Sequence, residues 1–294
     1  MNKVGFLPHA GARLGESILA AMGASSDILA TIAAANRERV AADAERLATG
    51  VLVERARELA AAGAGPGGAG SLPDFESALR APGMSFICEV KRASPSVGVI
   101  AGDIDPVQIA LDYESAGAAA VSCLTEPRWF LGSGDDLTGI AAAVDVPVLR
   151  KDFIVDERQL YEARLWGASA VLLIVSILTD DELERFIGLA HELGMSALVE
   201  AYEPSEVPRA IAAGARIVGV NNRDLRTFEV DFGRSIRLRG EVGPERVFVS
   251  ESGVTTRDDV AALEEAGVDA VLIGETLMRA PDKRAMLDEL RGLP

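Results

Sequence analysis

The chain has 294 residues, 49% of them hydrophobic and 25% charged, a balance that supports a large buried core and excludes extensive disorder. Its formal net charge of −16 opposes binding to nucleic acid or anionic membrane through the global field, so an anionic ligand must be captured by a local positive pocket. There are only two histidines, His9 and His191, and two cysteines, Cys88 and Cys123, each set in an apolar run. Metal clusters and Ser-His or Cys-His nucleophile pairs therefore lack parts. Acid–base chemistry is left to Lys, Glu, Asp or Tyr, and the cysteines read as buried free thiols in a reducing cytoplasm.

In chain order, residues 1–26 have no clear period and read as a weakly ordered extension. They show no basic region followed by an apolar core, so no signal peptide is expected. Residues 27–62 are rich in Ala, Leu, Arg and Glu, which favour helix. Ile28, Ile32, Ala35, Val40 and Leu47 suggest one buried face. The glycine-rich run from Gly63 to Gly70 breaks that helix, and a short one is expected at Asp74–Leu79. Nothing in the sequence says whether these N-terminal helices (27–79) cover the mouth or the bottom of the domain they precede.

From Ser85 onward, short β-rich runs alternate with amphipathic helical runs. The strands read are Ser85–Val90, Ala119–Leu124, Val146–Leu149, Ala170–Ile174, Ala197–Glu200, Ile217–Val220, Val247–Ser250 and Ala270–Ile273. Helices fall between them, for example at Pro106–Ala116, Glu157–Trp166, Asp180–Leu193 and Arg257–Ala266. Several end in a glycine suited to a left-handed cap, at Gly117, Gly167, Gly194, Gly214 and Gly267. Strands spaced about 20–30 residues apart with helical crossovers imply parallel pairing, and a set of about eight predicts a closed (βα)8 TIM barrel over residues 27–294. The longest strongly apolar stretch, Ala168–Leu178, is far short of the roughly 20 residues a membrane span needs.

In such barrels the chemistry sits at the C-terminal strand ends. Those ends carry Glu89 and Lys91, then Lys151, Glu200, Asn221 with Arg223, Glu251 with Ser252 and Gly253, and Gly274 with Glu275. Glu89 and Lys91 are two apart and share one face of the first strand, while Cys88 and Val90 take the other. A solvated ion pair is the bland alternative for them. Its counterweight is the recurrence of an abrupt charge after an apolar run at Lys151 and Glu200. Ser252-Gly253 and Gly274-Glu275 bring small residues to adjacent loops, where exposed N–H groups form an anion site unless they serve ordinary turns. Asn221 suits a substrate oxygen or a neighbouring carboxylate. Arg223 suits phosphate, a carboxylate, or Asp224 beside it.

Seven motifs in order then resemble the indole-3-glycerol-phosphate synthase family: Glu89-Val90-Lys91-Arg92-Ala93-Ser94-Pro95-Ser96, Thr125 to Gly134, Leu149 to Ile154, Leu198-Val199-Glu200, Gly219 to Leu225, Ser250 to Val254 and Leu272 to Glu275. The resemblance runs from about Asp27 to the C-terminus. It implies ring closure of 1-(2-carboxyphenylamino)-1-deoxyribulose 5-phosphate to indole-3-glycerol phosphate, carbon dioxide and water in tryptophan synthesis, with no cofactor and no metal. By the same resemblance Lys151 is the general acid and Glu200 the base of the dehydration. Lys91 is a second acid or the partner of the substrate carboxylate, and Glu89 and Asn221 orient these groups. Ser94, Ser252, Gly253, Gly274 and Glu275 hold phosphate. Pro95 and Phe130 wall the aromatic ring, with Arg223 and Glu251 also on the substrate. The implied partner is a phosphorylated small molecule, with no nucleic acid and no membrane; a monomer, or at most a weak homo-oligomer, is expected. Two departures stand out: Ser176, where many relatives carry lysine, and a chain before Asp27 that is longer than usual. The rivals are a phosphoribosylanthranilate isomerase, which relies on a Cys and Asp pair at strand ends, and a non-catalytic phosphate-binding barrel, which needs neither Lys151 nor Glu200.

Overall fold

The computed structural model describes residues 27–46, 49–65, 70–224 and 227–293, so the extension expected at 1–26 and Leu47 lie outside the described residues. Eight parallel strands close into a barrel: β1 (Ser85–Val90), β2 (Ala120–Leu124), β3 (Val148–Lys151), β4 (Ala170–Ile174), β5 (Ser196–Ala201), β6 (Ile217–Asn221), β7 (Val247–Glu251) and β8 (Ala270–Ile273), with β8 pairing back onto β1 from Ser85↔Ala270 to Cys88↔Ile273. This is the (βα)8 barrel that the alternation predicts.

Strand alternation sorts the core into two layers. Ile87, Leu149, Leu172, Leu198, Val249 and Leu272 point inward and fill the barrel. Phe86, Cys88, Val121, Val171, Val199 and Val271 point outward against the helices. Both cysteines are free and buried. Helices α4 (Pro106–Ser115), α5 (Gly134–Ala143), α6 (Glu157–Trp166), α7 (Asp180–Glu192), α8 (Glu206–Ala212), α9 (Gly233–Arg239), α10 (Arg257–Glu265), α11 (Glu275–Arg279) and α12 (Lys283–Arg291) surround the strands. The Gly117, Gly167, Gly194, Gly214 and Gly267 caps take the expected positive φ. Thr179 with Glu182, and Thr256 with Asp259, form reciprocal capping boxes that start α7 and α10.

Several strands reach further than the apolar runs predict. β3 begins after Pro147, which has no N–H for the ladder, and extends through Arg150 to Lys151. Similarly β6 includes Asn221 and β7 includes Glu251. The groups read as following the strands are therefore on them, inside the barrel mouth, where mutual pairing offsets their burial. A two-stranded hairpin, Ala93–Ser94 with Gly98–Val99, comes after β1 and was not anticipated.

The N-terminal segment divides into three pieces: α1 (Ile28–Arg46), α2 (Thr49–Ala61) and α3 (Phe75–Leu79). On α1, Ile28, Ile32 and Val40 are buried as expected, and Ala35 is half-buried. Asn36 donates to Phe153 O (3.1 Å) and Arg37 to Ile177 O (2.9 Å), both just beyond C-terminal strand ends, so α1 lies over the mouth. α2 runs along α6, where Arg164 donates to Leu59 O (3.1 Å). α3 plugs the opposite end. Asp74 caps it by accepting from Ser77 N (3.0 Å), and Phe75 and Leu79 are fully buried with Ile217, Val247 and Ala270 at the starts of β6, β7 and β8. Among the described residues no helix is long and apolar enough to cross a membrane.

Candidate active site

The barrel mouth holds a cavity of about 520 Å³. Its floor is charged. The Lys151 ammonium, brought in by β3, donates to Glu200 Oε2 on β5 (2.9 Å) and to Glu251 Oε2 on β7 (2.8 Å). Both carboxylates are buried, at 4% and 1% exposure. The Glu89 carboxylate, on β1, and the Lys91 ammonium, just beyond its end, pair at 2.5 Å.

Physical causes fix the charge states. Burial alone would depress the Lys151 pKa, but Glu200, Glu251 and Glu89 outweigh it and hold the group protonated. Glu251 is pushed up to about 8: burial dominates, Lys151 opposes it, and nearby Glu200 adds to it. Among the described residues Glu251 Oε1 is buried and has no hydrogen-bond partner. Among the described residues no group of His, Cys, Asp and Glu has the grouping to hold a metal ion.

Asn221 ties this floor to the rim. Its Nδ2 donates to Glu200 Oε1 (3.4 Å), and its Oδ1 accepts from Ser252 Oγ (3.0 Å) and from Arg223 N (3.0 Å). Ser252 and Gly253 lie in succession at φ +69° and +91°, a backbone that a serine adopts only when its surroundings enforce it. The enforcement comes from Asn222, whose Nδ2 donates to Ser252 O (3.0 Å) and whose Oδ1 accepts from Ser235 N (3.0 Å). Gly274 opens the facing loop. A methyl there would meet Glu89 Oε1 at 2.2 Å and Lys91 Nζ at 3.0 Å, so only glycine lets β8 pass the charged pair. Arg223 reaches Phe228 O (3.2 Å) and Glu275 (3.8 Å), between the two loops. Ser94, Pro95 and Phe130 also line the cavity. All the residues expected at the site from sequence converge on this one cavity, although Glu251 sits in the charged floor with Lys151 instead of on the rim with Ser252.

The family model for indole-3-glycerol phosphate synthase matches residues 29–290. The chain belongs to that family. An indole-3-glycerol phosphate synthase from Lachnoclostridium phytofermentans is 48% identical over 270 residues, covering 90% of this chain and 99% of the relative. One from Ruminiclostridium cellulolyticum is 54% identical over 218 residues, covering 74% and 84%. Among solved structures, a thiamine phosphate pyrophosphorylase from Pyrococcus furiosus aligns with a TM-score of 0.54 at 17% identity, over 73% of this chain and 96% of that one, a likeness of fold alone.

Three groups of this family member's site are not apparent from its sequence. Ile28, Leu29 and Ile32 on α1 line the cavity, but their helical spacing reads equally well as any buried face. Phe153 stacks near Phe130, centroids 5.9 Å apart, and adds to the apolar wall. Glu126, inside an anticipated motif, holds the second loop by accepting from the N–H groups of Arg128, Trp129 and Phe130 (2.9, 2.6 and 3.0 Å), which aims Phe130 at the cavity. Ser176, the expected departure, is exposed in a 3₁₀ turn after β4 and does not line the cavity.

Proposed function

We propose that the chain closes the indole ring of 1-(2-carboxyphenylamino)-1-deoxyribulose 5-phosphate, losing carbon dioxide and water to give indole-3-glycerol phosphate, through the lysines and glutamates of the barrel mouth. The observation that carries this reading is a Lys151 ammonium facing the cavity and kept protonated by two buried carboxylates.

Lys151 donates its proton to the C2 carbonyl oxygen as the carboxylate-bearing ring carbon attacks C2. A cation there offsets the charge that develops on oxygen. The carboxylate then leaves as carbon dioxide, and its bonding pair restores the aromatic ring. In the dehydration Glu200 accepts the C1 proton while Lys91 protonates the departing hydroxyl. Glu89 holds Lys91, and Asn221 holds Glu200. Phosphate sits against Ser94, the Ser252-Gly253 turn and the Gly274-Glu275 backbone, with Arg223 between them; Phe130 and Pro95 wall the ring. All of these groups come from one chain, so a monomer suffices, and the two buried free thiols suit a cytoplasmic setting.

The test is indole absorbance or fluorescence on adding that substrate. Retained binding of a phosphate ligand without turnover would overturn the enzymatic reading in favour of a phosphate-binding barrel.

A further inference from the structure

Lys151 lies between two buried charged residues, Arg150 and Asp152. Arg150 is fully buried on the outer side of β3 and stacks on Trp166, 4.3 Å from the ring centroid. Asp152, 1% exposed, comes just after the strand. Thr125, at the end of β2, joins the two. Its N–H donates to Lys151 O (3.1 Å), its hydroxyl donates to Asp152 Oδ2 (2.7 Å), and that same hydroxyl accepts from Arg150 Nε (3.2 Å). Arg150 Nη2 also reaches Asp152 Oδ2 (2.9 Å), and Phe153 N donates to Asp152 Oδ1 (2.8 Å). The peptide carrying the lysine is thus enclosed by a ring of buried polar contacts.

The ring is completed from outside the barrel. Asn36 on α1, 2% exposed, donates through Nδ2 to Phe153 O (3.1 Å) and, at 3.4 Å, to Asp152 Oδ1. Arg39 fixes the amide of Asn36 by donating to its Oδ1 through Nε (3.3 Å) and Nη2 (3.1 Å). A buried amide is costly unless its bonds are made, so Asn36 favours one seating of α1.

We propose that Asn36 is a positioning residue for Lys151: it latches α1 onto the Arg150–Thr125–Asp152 collar and thereby fixes the lysine that acts on the substrate carbonyl. This rests on Lys151 being the general acid of the ring closure. Misplacing a catalytic group by about 1 Å costs up to about 10²-fold in rate, so a loosened collar acts on the chemical step.

The test compares Asn36→Leu, which keeps the branched skeleton of the side chain but not the amide, with the parent enzyme by steady-state kinetics. The expected result is kcat about tenfold lower with KM within about threefold. A merely structural loosening of α1 would instead raise KM, because Ile28, Leu29 and Ile32 line the cavity. The second arm is a double-mutant cycle. In a Lys151→Ala background, Asn36→Leu leaves the residual turnover within about twofold if Asn36 acts through the lysine. Parent-like kcat in Asn36→Leu, a loss confined to KM, or an undiminished fall in the Lys151→Ala background would each overturn the proposal. If Asn36→Leu does not fold, Asn36→Ser is read by the same criteria. Near-normal turnover in Lys151→Ala alone would instead defeat the role of Lys151, which separates the two failures.

Discussion

Replacing Lys151 with methionine removes the ammonium while keeping the length and apolar stem of the side chain. It has two effects. The carbonyl loses its proton donor, which costs about 10²–10⁴-fold in turnover for a general acid. Glu200 and Glu251, at 2.9 and 2.8 Å from the same nitrogen, lose their shared counter-charge while buried. Stripping one partner from a buried ion pair destabilises by about 3–5 kcal/mol, less whatever is recovered when the carboxylates take up protons. Linkage sets the sign of the pH effect. Glu251 in the folded parent is already raised from 4.5 to about 8, and without Lys151, which opposes that rise, it goes higher. The folded variant therefore binds more protons than its unfolded chain. Its stability is fully present below about 4.5 and is lost as pH rises through the raised values. Urea melts of parent and Lys151→Met at about pH 7 and about pH 9.5 should show a deficit that grows with pH, because above about 8 only the variant still loses stability through Glu251, alongside indole-forming turnover at least about 10²-fold lower. Turnover within tenfold of the parent, or a deficit that shrinks as pH rises, would refute the account of this triad.

Ser252→Asp keeps a residue type that tolerates positive φ and adds a negative charge to the turn assigned to phosphate, so KM should rise about tenfold with the melting temperature little changed; an unchanged KM would remove this loop from the phosphate grip. Gly274→Ala drives a methyl into Glu89 Oε1 at 2.2 Å and displaces the Glu89–Lys91 pair, so kcat should fall at least about tenfold, and parent-like kinetics would show that the pair's position is irrelevant. Burial raises both thiols, Cys88 to about 12, so a thiol-specific reagent at pH 8 should label neither cysteine in native buffer and both in denaturant; rapid native labelling would contradict the packing of β1 and β2.

The barrel was legible because short apolar strands alternate with amphipathic helices, several of which end in a glycine cap, as at Gly117 and Gly167. The floor of the site was legible for a related reason. A charge that interrupts an apolar strand stands out, as at Lys151 and Glu200, and the glutamate–lysine spacing at Glu89 and Lys91 fixes their common face. Long-range placement stayed hidden. The sequence around Ile28, Ile32 and Asn36 predicts a helix with a buried face, but whether that face meets the mouth or the base depends on contacts more than a hundred residues away, such as Asn36 with Phe153. The strand ends were underestimated because apolarity was taken to define the strand. In Lys151 and Glu251 the ladder continues through charged residues whose partners come from other strands, and no local pattern records such pairing.

The distribution of charge in the mouth separates recognition from reaction. Even with Glu251 uncharged, Glu89 and Glu200 balance Lys91 and Lys151, and the whole chain is at −16, so neither the floor nor the surface draws in an anion. A substrate carrying both a phosphate and a carboxylate must be captured elsewhere. We propose that the Ser252-Gly253 turn and the Gly274-Glu275 backbone, with Arg223 between them, capture it. Backbone donors carry no titrating charge, so they hold phosphate without shifting the protonation of the floor. Glu251 lies at the junction, in sequence beside the turn and in space beside Lys151. Lys151 thus bridges Glu251, whose ionisation burial opposes, and Glu200, the residue proposed as the base.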